Sequence, residues 1–361
     1  MSADLPWLVD RQYGPWVVTA FLAEGGMARV WRVRHVETGL EAALKVCRSR
    51  DPEMLARAAR EGRIQAALRH PNILAALDIV DADGIPGIVL DLIPGGATLD
   101  SELRAGPLPG ALLDRAVAGV LDGVDASHLA GFIHRDLKPA NVLLAPDETG
   151  GWTPRLADFG LARPEHEEPD ARMTRAGFML GSAAYMAPEQ ARDAGSVDAR
   201  ADLWSLGAML YEMVGGVPPF DGRSVEEVLT RSARGYYRPL DAVLPGVAAR
   251  WQVAVEACLQ VDPEMRVPDV ATLREVLRGE RKWVSRGGAR TRLIPGLPSA
   301  APPISSAVSG AETFIAERAV DPPPVKAARA ATIRRYLWAA ALLGVLGALV
   351  ARAVAAAFAT G

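Results

Sequence analysis

The chain has 361 residues, 50% of them hydrophobic and 23% charged, a globular composition that excludes whole-chain disorder and fibrous repeats and allows a sizeable core. Its 40 Lys and Arg against 43 Asp and Glu give a net charge of −3, too near zero for a nucleic-acid binder. Two distant cysteines, Cys47 and Cys258, and five scattered histidines offer neither a disulfide framework nor a zinc site, and suit a reducing cytosol.

The opening MSADLPWLVDRQYGPW places acids early and has no apolar h-region, so no signal peptide is expected. Up to about residue 90, β-branched and aromatic runs bounded by glycine predict strands at Trp16–Phe21, Val30–Arg34, Glu41–Val46, Ile79–Asp81 and Gly87–Leu90. One helix, over Pro52–Leu68, interrupts them. Beyond Thr98 the period becomes helical, as in Ala111–Leu129, Ala199–Val214 and Val247–Leu259. The expectation is an α+β chain: a small strand-rich lobe, a larger helical lobe, and a cleft between them that suits a ligand. Residues 281–335, rich in Pro, Ala, Ser and Gly, read as a flexible linker, and the chain turns apolar from Tyr336.

The most informative stretch is His134-Arg135-Asp136-Leu137-Lys138-Pro139-Ala140-Asn141, followed by Asp158-Phe159-Gly160 and Ala187-Pro188-Glu189. In order and spacing these resemble the catalytic loop, magnesium loop and activation-segment end of protein kinases. Any one triplet is weak; the three in series are specific. Upstream, Ala43-Leu44-Lys45 falls in a predicted strand, and Glu61 lies in the helix ahead of His70-Pro71-Asn72-Ile73. The resemblance covers roughly residues 13–280, and Tyr185-Met186-Ala187-Pro188-Glu189-Gln190 with the Gly-Gly-Met loop is similar to bacterial Hanks-type serine/threonine protein kinases.

The resemblance implies the two-lobed kinase fold, with lobes at about 13–93 and 94–280, and ATP and Mg²⁺ as cofactors. Phosphoryl transfer is mostly positioning and charge neutralisation. Lys45 would neutralise ATP phosphates, with Glu61 orienting it; Asp158 and Asn141 would ligate Mg²⁺. Asp136 would accept the substrate hydroxyl proton and Lys138 would steady the γ-phosphate. Taken alone, a Lys45–Glu61 pair or either aspartate would more often be a surface ion pair or a turn residue. Asp202, and Glu189 with Arg266, are expected to brace the loops rather than react. Gly25 and Gly26 would form the tip of the phosphate-covering loop, whose first and third glycines are here Ala23 and Ala28. Leu22, Val30, Ala43 and Leu143 would enclose adenine, with backbone groups from Asp91 to Ile93. Lys138 together with Ser182 points to Ser/Thr hydroxyls of protein substrates. Arg135 implies control by activation-loop phosphorylation, with Thr174 as the acceptor.

Leu337 to Phe358 is apolar apart from Arg352, and at ~1.5 Å per residue its 22 residues match a ~30 Å hydrocarbon layer. Arg334-Arg335 before it predict a single-pass transmembrane helix over 336–358, with the kinase domain cytoplasmic at the inner or plasma membrane. Small residues at Ala340, Gly344 and Ala348 share a helical face and suggest self-association. Since three residues follow Phe358, a tail-anchored kinase without an extracellular sensor is expected. The rival readings are a pseudokinase scaffold, which Ala23 and Ala28 favour, and a small-molecule phosphotransferase of the same fold.

Overall fold

In a computed structural model, residues 9–25, 28–82, 84–148, 150–159, 181–193 and 197–283 are described. Gly26, Gly160, Thr174, nearly all of the linker and the apolar segment 336–358 lie outside these residues. Among the described residues no helix is long and apolar enough to cross a membrane.

The first lobe is a six-stranded antiparallel sheet in the order β1-β2-β3-β4-β6-β5. Its strands are β1 (Gln12–Tyr13), β2 (Trp16–Glu24), β3 (Ala28–His35), β4 (Glu41–Cys47), β5 (Ala76–Ala82) and β6 (Ile85–Asp91). Alternation along these strands gives the sheet two apolar faces. Val33, Leu44, Val46 and Val89 pack into one cluster. Val30, Ala43, Ile88 and Leu90 pack into another, with Leu143 and Ala157 of the second lobe. The register sets Val30 opposite Lys45, and Lys45 opposite Ile88, so Lys45 is flanked by apolar neighbours on the cleft side. Helix α1 (Pro52–Ala67) begins where Asp51 accepts from the N–H groups of Glu53 and Met54, with proline at its first position.

The second lobe contains α2 (Leu99–Leu103), α3 (Gly110–Leu129), α4 (Pro188–Arg192), α5 (Arg200–Gly215), α6 (Val225–Arg234), α7 (Leu240–Val243), α8 (Ala249–Cys258) and α9 (Val270–Arg278). Most of α5 is buried; its Trp204 stacks on Phe220 at 5.4 Å, and both belong to the main core. Two further strands form a hairpin, β7 (Val142–Pro146) and β8 (Trp152–Leu156). They escape sequence reading because they are short and each contains a proline. Their placement matters, since Asn141 immediately precedes β7 and Asp158 follows β8 by two residues. Gly123 of α3 lets this layer close: a Cβ there would stand 2.7 Å from the Asn72 carbonyl oxygen. The five expected strands are all present, each longer than the sequence suggests, and β1 is added.

Candidate active site

Strand alternation aims Lys45 into the cleft, where its Nζ lies 2.8 Å from Glu61 Oε1 and 2.8 Å from Asp158 Oδ1. Glu61 is 4% exposed, and α1 comes this close because the next residue is glycine; a Cβ on Gly62 would meet Ile88 Cγ1 at 2.9 Å. Burial alone would lower the Lys45 pKa, but the carboxylates of Asp158 and Glu61 outweigh it and hold the ammonium protonated, above its ordinary value. Burial pushes Glu61 up against the pull of Lys45.

The catalytic loop hangs from Asp202, a fully buried residue of α5. One carboxylate oxygen accepts from the His134 N–H and the other from the Arg135 N–H, both at 2.8 Å, and His128 Nε2 lies 2.8 Å from the first. His134 Nε2 faces the Ala157 carbonyl at 3.1 Å, and Asp136 N–H points at its Nδ1. A carbonyl only accepts, so the proton sits on Nε2. Burial lowers the His134 pKa and keeps the ring neutral. Arg135 and Asp158 adopt left-handed backbone, φ 65° and 59°, a cost that non-glycine residues bear where surrounding contacts over-determine the conformation.

Asp136 accepts from Asn141 Nδ2 at 3.1 Å and lies 3.2 Å from Lys138 Nζ, which also donates to Ser182 Oγ at 2.9 Å. Lys138 and Ser182 are buried, 6% and 8% exposed. The sequence-expected residues Lys45, Glu61, Asp136, Lys138, Asn141 and Asp158 therefore converge on one cleft. Val30, Ala43, Ile93 and Leu143 share a single apolar cluster, with Leu22 packed against it. Gly25 is buried and its N–H closes the turn onto Ala28 O at 2.8 Å. The Asp91 N–H is taken by Ala75 O, and its carboxylate pairs with Arg155 at 2.8 Å.

The donor set fits Mg-ATP. Asp158 uses Oδ1 for Lys45 and retains Oδ2, while Asn141 donates through Nδ2 and leaves its amide oxygen. Two hard oxygens beside a cation suit Mg²⁺, which takes few protein ligands and shares phosphate oxygens. The apolar cluster suits a purine.

Several contacts are not legible in the motifs. His128 supports Asp202, Gln190 Nε2 donates to the Arg135 carbonyl, and Arg155 ties β8 to Asp91. Tyr185 OH donates to Glu212 Oε2. Burial pushes Glu212 up to about 7, against that hydrogen bond. With a folded pKa above the unfolded one, the folded state binds the extra proton between about pH 4.5 and 7, so stability falls as pH rises through that window. Glu212→Gln should remove the decline: matched at pH 4.5, the variant should exceed wild type by about 3 kcal/mol above pH 7. Urea unfolding across pH tests this; parallel curves would refute it.

Comparison with known proteins agrees with the geometry. The protein kinase domain family matches residues 16–278. The serine/threonine-protein kinase PknL of Mycobacterium tuberculosis is 34% identical over 269 residues, covering 74% of this chain and 65% of that protein. PknB of Mycobacterium leprae is also 34% identical, over 74% of this chain and 43% of that one. The chain thus spans less than two thirds of the length of these relatives. The crystal structure of the Mycobacterium tuberculosis PknI kinase domain aligns with TM-score 0.58 and 26% identity, over 77% of this chain and 100% of that chain. Motif order, the Lys45–Glu61–Asp158 cluster and the family match lead to one placement: the chain belongs to the protein kinase family, in its bacterial Hanks-type serine/threonine branch.

Proposed function

We propose that the chain transfers the γ-phosphoryl group of ATP to serine or threonine hydroxyls of proteins. The observation that carries this reading is Lys45 bridging Glu61 and Asp158 at 2.8 Å each, beside an Asp136 whose carboxylate is held by Asn141 and Lys138. A scaffold without turnover has no need of that assembled set.

Lys45 pairs with the ATP phosphates, and Glu61 fixes its direction. Leu22, Val30, Ala43 and Leu143 enclose adenine, with backbone groups from Asp91 and Ile93, while Gly25 and Gly26 cover the phosphates. Held by Asp158 and Asn141, Mg²⁺ supplies charge neutralisation at the phosphate oxygens. Asp136 accepts the proton of the substrate hydroxyl as its oxygen bonds to phosphorus and the bond to the ADP oxygen breaks; Lys138 offsets charge on the moving group. The Ser182 hydroxyl, held by Lys138, fixes that lysine beside Asp136. Thr174 is the expected autophosphorylation site. The apolar segment 336–358 anchors the chain in the membrane beyond a 281–335 linker, with the kinase domain, 13–280, on the cytoplasmic side. Association through Ala340, Gly344 and Ala348 would favour phosphorylation between chains.

The test is incubation of the full chain in membranes with γ-labelled ATP, Mg²⁺ and a generic protein acceptor. Label on phosphoserine or phosphothreonine, and on Thr174 by mass spectrometry, is expected. Nucleotide binding without any transfer would overturn the reading in favour of a scaffold.

A further inference from the structure

The inner face of α1 carries two buried polar side chains one turn apart, Glu61 at 4% and Gln65 at 1% exposure. Residues four apart on a helix lie on one face. Glu61 reaches up to Lys45. Gln65 reaches the other way: its Nε2 donates to the Leu74 carbonyl at 3.0 Å. Among the described residues, these are the two side-chain hydrogen bonds by which α1 grips the rest of the molecule.

The Leu74 backbone is not an isolated acceptor. Its N–H donates to Leu156 O at 2.8 Å, and the Leu156 N–H donates to Asn72 O at 2.8 Å. The Asn72 side chain adds a bond to Pro154 O at 2.9 Å. Residues 72–74 are thereby laced to β8, the strand that delivers Asp158. At the next residue the Ala157 N–H donates to Asn141 O at 2.9 Å, and its carbonyl faces His134 Nε2. A continuous hydrogen-bonded thread therefore runs from Gln65 to the backbone that places Asp158, Asn141 and the catalytic loop.

Burying an amide costs free energy unless it is bonded, and an apolar residue of similar size would serve packing alone. We infer that Gln65 is a positioning residue that locks α1, and with it Glu61, to the strand leading into Asp158, so that Lys45 meets both acids at once. The inference rests on the proposed kinase reading and adds to it a link that none of the recognised motifs contains. Without the amide donor, α1 keeps its apolar packing but loses the bond that fixes its swing relative to β8.

The test compares the full chain with Gln65→Leu and Gln65→Met, which keep bulk and remove the donor. Amide exchange in α1 should accelerate about two- to tenfold, the range of one net hydrogen bond, while α5 is unchanged and the urea midpoint falls slightly, since the buried Leu74 carbonyl loses its donor. At saturating Mg-ATP, kcat should fall by a similar factor with little change in KM for ATP, because the competent α1 position is populated less often. Unchanged α1 exchange, unchanged kcat in an active preparation, or acceleration shared equally by α1 and α5 would each overturn the inference. A wild-type chain that exchanges as expected but transfers no phosphate would instead refute the kinase reading, because the exchange result does not depend on turnover.

Discussion

Replacing Asp136 with asparagine is expected to lower kcat by about 10²–10⁴-fold, the range for loss of a positioned general base, while leaving Mg-ATP affinity nearly intact. The substitution is close to isosteric. The amide oxygen still accepts from Asn141 Nδ2, which lies 3.1 Å from the carboxylate oxygen and also bonds the residue's own carbonyl, so the loop should keep its course. What disappears is an anionic acceptor for the hydroxyl proton and the charge partner of Lys138. The proposed nucleotide contacts are made instead by the separate ion-paired set of Lys45, Glu61 and Asp158. The variant should therefore bind nucleotide and fail at transfer, whereas Lys45→Met should impair both. Direct binding of ATP with Mg²⁺, measured beside single-turnover transfer, separates the two. Near-normal transfer by Asp136→Asn would refute the role given to this carboxylate.

Much of this site is legible because its residues lie in short, ordered motifs whose chemistry constrains residue type. Lys45 reads as functional from its strand and from Glu61 in the following helix. A further signal was available: Lys45 and Lys138 are two of only four lysines among the 40 basic residues. Arginine serves elsewhere, but a compact ammonium and a planar fork are not interchangeable in a buried site. What stays hidden are bonds closed by the tertiary fold. Asp202 holds the His134 N–H across 68 positions, and His128 reaches the same carboxylate from the end of α3. No local pattern marks that histidine. Gln65 is half-legible, since a polar residue four places after Glu61 breaks the apolar face expected of α1. Hairpin β7–β8 is invisible to periodicity, yet it delivers Asp158; its depth comes from glycines in α3 that admit Asn72 and Pro154.

The largest effect on stability is expected at Arg266, far from the reacting atoms. Its side chain is 0% exposed and its guanidinium pairs with both Glu189 oxygens, at 2.7 and 3.1 Å. It also donates to the carbonyls of Gln260 and Arg200, and its plane lies 5.2 Å from the centroid of the Trp204 ring. Arg266→Met keeps the stem but strips donors from two carbonyls and from a half-buried carboxylate. Breaking a buried pair by removing one partner costs about 3–5 kcal/mol, a large share of the ~5–15 kcal/mol that holds a typical domain folded. Arg266→Lys should recover little, because one ammonium cannot span acceptors that a five-donor fork reaches together. Adding Glu189→Gln to Arg266→Met should return part of the loss, since the stranded carboxylate is then neutral. Glu189 lies in the first turn of α4, directly after the segment that carries Ser182, so the Met variant should also loosen the Ser182–Lys138 contact and lose activity before it unfolds. Urea titration of the single and double variants measures the coupling. A loss below ~1 kcal/mol for Arg266→Met would place the pair among surface-like bridges and assign the stability of the second lobe to the α5 core alone.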